Sequence, residues 1–203
     1  MQALLEKLIA NPLLHAKWLN TLSMMENAGA RKISACEDKN NVTLTVLKHA
    51  AEEHRHAFYL KKQIAKIDDT LCPNYHLTNL LAPKESKFYL DHLDIAVSRF
   101  LRKALRMSNG WDLKFSAYIL VTYAIEVRAE SLYPQYQAAL ENAGSNIHVK
   151  SIIVEEMGHL AEMRKQINQL WKHQPEVPQK ALELESQLFQ QWTTAVSREV
   201  LTS

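Results

Sequence analysis

Apolar residues recur along this chain at spacings of three and four, the period of helices that bury one face. Asn11-Pro12 reads as an N-cap followed by proline at the first helical position, and Leu19, Leu22, Glu26, Gly29 and Ile33 then share a face. The polar stretch Cys36 to Asn41 is a tight connection to a second helix, whose face carries Val46, His49, Glu53, His56, Leu60 and Ile64. Its β-branched opening, Val42-Thr43-Leu44-Thr45-Val46, looks strand-like, but the length of the pattern that follows assigns it to the helix. Periodicity weakens from Asp68 to Pro83, a long connection punctuated by Cys72-Pro73 and Ala82-Pro83. A third segment, Lys84 to Arg106, has Phe88, Asp91 or His92, Ile95, Phe100 and Leu101 on its face, with Ser108-Asn109-Gly110 as its stop.

A fourth helix is expected from about Asp112 to Asn142, with Phe115, Ile119, Thr122, Glu126, Ala129 or Glu130, Tyr133, Gln137 and Leu140 on one side. Pro134 inside it predicts a kink or a lost hydrogen bond about a turn upstream. Ala143-Gly144-Ser145-Asn146 ends that helix and caps the next, which presents Val149, Ile152, Glu156, His159, Met163, Ile167 and Leu170. After Pro175 and Pro178 a last helix spans roughly Gln179 to Val200.

Composition sharpens this to an all-α fold in one domain. Only 4 Gly and 6 Pro occur in 203 residues, while good helix formers are plentiful. A formal charge of +2 gives no reason to expect nucleic acid or an anionic membrane as partner. The first ten residues lack a basic leader and a long apolar run, so neither a signal peptide nor a membrane span is expected. Cys36 and Cys72 stand far apart without a CxxC, which favours free thiols in a cytoplasmic protein over an iron–sulfur or zinc site.

The chemistry lies in where the acids fall. Glu26, Glu53, Glu126 and Glu156 each sit on the apolar face of a different predicted helix. An ionised carboxylate facing a core is costly without a compensating cation, and four converging ones call for substantial positive charge. Two of these glutamates open ExxH pairs, Glu53-His54-Arg55-His56 and Glu156-Met157-Gly158-His159, whose i, i+3 spacing turns both ligating groups to one side of a helix. With 16 Glu and 9 His in 203 residues, roughly 0.7 such pairs arise by chance, so the pairs alone carry little. Their context carries more. Another acid precedes each, giving Glu52-Glu53 and Glu155-Glu156, and each follows an inward glutamate, 27 residues after Glu26 and 30 after Glu126. Such separations suit two antiparallel helices, so the chain contains one helical hairpin twice. Four carboxylates and two imidazoles suit a pair of iron or manganese ions, or one of each.

On Met25-Glu26-Asn27, Glu52-Glu53-His54-Arg55-His56, Ile125-Glu126-Val127-Arg128-Ala129-Glu130 and Glu155-Glu156-Met157-Gly158-His159, the sequence resembles the ferritin-like di-iron carboxylate superfamily, which includes bacterioferritin, rubrerythrin, di-iron hydroxylases and the small subunit of class I ribonucleotide reductase. The likeness spans roughly residues 11–171, and it implies a ferritin-like four-helix bundle with additional helices. The Glu53 segment is most similar to the oxygenase members, and the Glu126 segment to hydroxylases of tRNA bases. By this resemblance Glu26 and Glu126 are terminal ligands, Glu53 and Glu156 bridge, and His56 and His159 each bind one ion. Glu52 would orient His159 and Glu155 would orient His56, where the family more often has Asp, and Arg55 would pair with Glu155. Glu130, a turn after Glu126, is a rival or additional ligand.

The resemblance implies a di-iron oxidoreductase that activates dioxygen and oxidises or hydroxylates a small or nucleoside-type substrate. An external electron donor is then required, because no cysteine motif supplies an internal iron–sulfur centre. A monomer or homodimer is the expected assembly. Iron storage in a cage, a rubrerythrin-like peroxidase and a binding module with a structural metal are the alternatives. His49 and His92 read as core or surface histidines, and His54, His76, His148 and His173 as exposed. Tyr59, Tyr123 and Tyr133 read as packing residues near the ligands, and Gly158 as a device for opening space or for close helix contact.

Overall fold

The computed structural model describes residues 1–37, 40, 42–107 and 110–202, and it is all-helical, with no strand among the described residues. Its helices are α1 (Gln2–Ala10), α2 (Pro12–Ala35), α3 (Leu44–Ile64), α4 (Pro83–Ala104), α5 (Trp111–Asn142), α6 (Lys150–Leu170) and α7 (Glu176–Thr202). No described helix is long and apolar enough to cross a membrane. The connection expected at Cys36–Asn41 and the stop expected at Ser108-Asn109-Gly110 lie partly outside the described residues.

Local chemistry sets the helix starts. The Asn11 side chain accepts from the amides of Leu13 and Leu14 at 3.0 and 3.1 Å, and Pro12 follows in the first turn. Thr43 caps α3 by accepting from the Val46 amide at 3.3 Å, so Val42 and Thr43 of the β-branched run stay outside the helix. α5 continues through Pro134. Proline there removes the bond that Glu130 C=O would have accepted, and the flanking turns carry the helix across the gap. Gly144, with φ +63°, supplies the left-handed turn after α5, and the Ser145 amide reaches back to Leu140 C=O at 2.9 Å.

The helices pair as two antiparallel hairpins. In the first, Ser23 of α2 donates to Ala57 C=O of α3 at 2.6 Å, and Lys61 of α3 meets Asn20. In the second, Gln137 of α5 accepts from the Val149 amide at the start of α6 at 2.8 Å. Buried polar residues of α2 hold the long connection before α4. Asn20 donates to Asn74 and Asn79 carbonyls at 2.9 Å each, Thr21 accepts from the Leu81 amide at 2.9 Å, and Ser23 contacts the Tyr75 hydroxyl at 2.7 Å. These bonds satisfy groups that would otherwise be stranded away from water.

The core has two apolar clusters. One gathers Leu5, Trp18, Leu60, Tyr136 and Trp192, with Trp18 stacked on Trp192 of α7 at 5.5 Å. The other gathers Ile33, Leu93, Val97, Ile119 and Trp171. α3 contributes Ala50 to the second and Leu60 to the first, and the segment between them on that helix carries Glu53 and His56.

α4 corrects the sequence reading. Its buried face is Ser86, Tyr89, Leu90, Leu93, Val97 and Leu101, while Phe88, Asp91, His92 and Ile95 are exposed. Both stripes have helical period, and the covered one is the stripe that meets α5 and α7.

Candidate metal centre

Seven buried or half-buried side chains converge between the hairpins. α2 supplies Glu26, α3 supplies His49, Glu53 and His56, α5 supplies Glu126, and α6 supplies Glu156 and His159. They form two groups, Glu26–Glu53–His56–Glu156 and His49–Glu53–Glu126–His159, and within each one ligand atom per residue lies within 4.8 Å of the others. Glu53 belongs to both. Glu53, Glu126, Glu156, His49, His56 and His159 are all buried. Glu26 keeps some accessible surface because it faces an internal cavity.

The imidazoles are held by their outer nitrogens. His56 Nε2 lies 2.8 Å from Glu155 Oε2, and His159 Nε2 lies 2.8 Å from Glu52 Oε2, each bond crossing between α3 and α6. Arg55 completes the crossing by donating to Glu155. An imidazole held at Nε2 by a carboxylate turns Nδ1 to its other side, where that nitrogen can bind a cation once it gives up any proton it carries. Both Nδ1 atoms point into the cluster. His56 Nδ1 is 3.0 Å from Glu156 Oε1, and His159 Nδ1 is 3.4 Å from Glu53 Oε1 and 3.6 Å from Glu126 Oε1. None of these contacts is aligned as a hydrogen bond. His56 Nδ1, His159 Nδ1, Glu126 Oε2 and Glu156 Oε1 are all buried without a hydrogen-bond partner.

Electrostatics describes a cluster short of positive charge. Burial, reinforced by the charges of Glu53 and Glu156, pushes the Glu26 carboxyl well above its ordinary value. Burial does the same to Glu156, with Glu126 and Glu53 adding to it. Burial also raises Glu126 to about 8, against a lowering contact with Glu156. Glu53 goes the other way: burial would raise it, but the imidazoles of His159, His49 and His56 hold it well below the carboxylate range. For His56 burial favours the neutral ring, yet the carboxylates of Glu156 and Glu53 override this and push it up to about 12. Tyr133 donates to Glu26 from α5, and burial together with the Glu26 charge keeps that phenol protonated.

A cation shared among these atoms would answer both features. It would engage the orphaned nitrogens and oxygens and stabilise the ionised form of the raised carboxyls. Carboxylates and imidazoles without thiolate suit iron, manganese or zinc. The buried His/Glu groups can therefore hold metal ions. Neither family models, curated proteins nor solved structures match this chain, so geometry carries the reading of the site.

Around the ligand set, two residues depart from the sequence expectations. His49, read there as a packing or surface histidine, is buried with Nε2 2.8 Å from Glu126 Oε1 and 3.3 Å from Glu53 Oε1. The signal was its position, one turn before Glu53 on the same face. Glu130, weighed as a ligand, is exposed and paired with Arg164 at 3.2 Å, outside both groups. It stands four residues after Glu126 on α5, farther along the helix, where Arg164 of α6 reaches it.

Tyr59 and Tyr123 are half-buried, whereas Tyr133 is buried on Glu26. Gly158 is exposed, and a Cβ built on it would have nothing within 4 Å, so it neither opens the site nor permits close packing. Gly158→Ala is therefore expected to stabilise α6 by about 1 kcal/mol. A rise of roughly 2–4 °C in Tm with unchanged metal content would be its signature, measured by calorimetry and elemental analysis.

A cavity of about 390 Å³ adjoins the cluster, bounded by α2, α4, α5 and α7. Glu26, Glu53 and Glu126 reach its wall, and its other side chains are mostly apolar.

Proposed function

We propose that this chain is a ferritin-like di-metal carboxylate protein, with iron as the favoured metal, that acts as an oxygen-dependent oxidoreductase on a small-molecule substrate. The observation that carries the reading is the pair of four-residue groups sharing Glu53, with four inward-facing buried ligand atoms left unpartnered. Glu26, Glu53, His56 and Glu156 would hold one ion, and His49, Glu53, Glu126 and His159 the other. A bound iron pair supplies the redox equivalents for reducing dioxygen.

The protein's own residues orient and insulate that site. Glu155 and Glu52 keep His56 and His159 facing inward. Tyr133 fixes the Glu26 carboxyl by donating to it, and mostly apolar side chains wall the adjoining cavity. Cys36 and Cys72 are free, so reducing electrons would come from an external donor. The cavity favours oxidation of a substrate over storage, since storage has no use for an apolar chamber against the ligands.

The test is metal content of tag-free protein by plasma mass spectrometry, then anaerobic loading with ferrous iron and exposure to oxygen under an optical spectrometer. About two irons per chain, oxygen uptake and an absorption change are expected. A folded protein that takes up no metal would overturn the reading, and a 24-subunit particle on size-exclusion chromatography would favour storage instead.

A further inference from the structure

Gly29 occupies a telling place on α2. The residues of that helix lining the cavity fall at helical spacing, with Glu26 one turn before Gly29 and Lys32 one turn after it. Glu26 belongs to the metal cluster. Lys32, with Ala35 and Lys114, marks the opposite end, where Lys114 and Ala35 are exposed. A Cβ added at Gly29 would meet nothing within 4 Å, so the missing side chain leaves open space between mouth and cluster. Glycine in a helix interior is unfavourable by about 1 kcal/mol relative to alanine, and the local backbone does not call for it, since Gly29 has no positive φ.

The cations set deeper in the wall are already paired. Lys32 pairs with Asp91 at 2.8 Å and also with Asp94. Arg128 makes a two-point contact with Glu185, 2.8 Å in each arm, and lies 3.8 Å over the Phe189 ring. Lys114 donates to Ala35 C=O at 2.6 Å at the exposed mouth, so its charge stays with the solvent outside the chamber. An anionic group buried past that mouth, toward Glu26 and Glu126, would meet carboxylates and no unpaired cation, while apolar surface would be well accommodated.

We propose that the cavity is the substrate chamber of the site, that it takes an uncharged, largely hydrocarbon small molecule such as a fused-ring aromatic or a short alkyl chain, and that Gly29 keeps the passage to Glu26 and Glu126 open. The proposal rests on the functional reading above and narrows its substrate class. A nucleoside phosphate, a carboxylic acid or an intact tRNA is disfavoured by the same feature.

Naphthalene and naphthoate, matched in shape and differing in charge, are the probes. Binding to the protein as isolated is followed by calorimetry and by tryptophan emission, since Trp192 lines the cavity. Naphthalene should bind at least about tenfold more tightly than naphthoate, and Gly29→Phe should weaken it at least about tenfold with metal content unchanged. Gly29→Ala should retain binding, because its added methyl leaves most of the passage clear. Naphthoate binding as tightly as naphthalene, no naphthalene binding, or a folded Gly29→Phe protein that binds naphthalene like the parent would each overturn the proposal. Should Gly29→Phe not fold, Gly29→Leu and the comparison of probes in the parent protein decide it. Metal uptake after ferrous loading of the same samples separates the two readings: naphthalene binding without metal uptake sinks the metal centre and leaves the chamber, whereas metal uptake without naphthalene binding does the reverse.

Discussion

Glu53→Ala is expected to abolish high-affinity binding of both metal ions, a larger loss than any other single substitution in the site. Glu53 is the one residue common to both groups, with Oε1 3.3 Å from His49 Nε2 and 3.4 Å from His159 Nδ1, and Oε2 3.5 Å from His56 Nδ1. It is also the carboxylate that the histidines hold in its ionised form, so it is ready to bind without first losing a proton. Glu26→Ala and Glu126→Ala each remove a ligand from one group only. Glu52→Ala removes the carboxylate that steadies His159 and should weaken metal binding by about 10–100-fold, the usual cost of losing an outer hydrogen-bond partner. Glu53→Ala should exceed that range at both ions. Glu162→Ala is the control, because Glu162 pairs with Lys48 on the surface at 3.0 Å. Plasma mass spectrometry on dialysed, folded protein checks the series, and parent-like metal content in Glu53→Ala would eliminate Glu53 as the shared ligand.

How much of this was legible in the sequence depends on the range of the interaction. The helices were readable because their signals are local: the Asn11-Pro12 cap, the period of the apolar positions and the Gly144 turn all act within a few residues. The glutamates stood out because an acid on an apolar face is anomalous wherever the helix packs. His49 did not, since a histidine one turn before Glu53 suits a packed core as well as a ligand set until Glu126 is brought to it from α5. The exposed face of α4 was misassigned for a related reason. Phe88 and Ile95 form as good an apolar stripe as Tyr89, Leu93 and Val97, and the approach of α7 decides between them. The buried contact of Glu185 with Arg128 and Tyr89, and the grip of Asn20 and Thr21 on the connection before α4, likewise join residues far apart in sequence. No period along one helix reveals them.

Metal-free protein is expected to lose thermal stability as pH rises from about 5 to about 8.5, and metal loading is expected to reverse that trend. Burial and neighbouring charge raise Glu26 and Glu156 well above 4.5, and Glu126 to about 8. In the folded metal-free chain these carboxyls keep their protons over a window in which the unfolded chain has already released them. Their contribution is fully present below 4.5 and is lost as pH climbs through the raised values. His56 has the same sign, since its contribution is complete below 6.5 and drains away toward about 12. Glu53 has the opposite sign, stabilising above 4.5 and losing that contribution as pH falls through its lowered value, so it shapes only the acid limb. A metal ion competes with the retained protons for the same oxygens and nitrogens. Each proton displaced makes the affinity climb by about tenfold per pH unit while the group is still protonated in the free protein. The gap in Tm between loaded and metal-free protein should therefore widen with pH. Calorimetry with and without manganous ion, chosen because it does not react with oxygen under these conditions, measures the gap, and titration in weakly buffered solution measures the protons released. If the metal-free Tm rises across this range, or loading releases no protons, the buried carboxyls are already ionised and the cluster is a neutralised ion-pair network instead of a site awaiting cations.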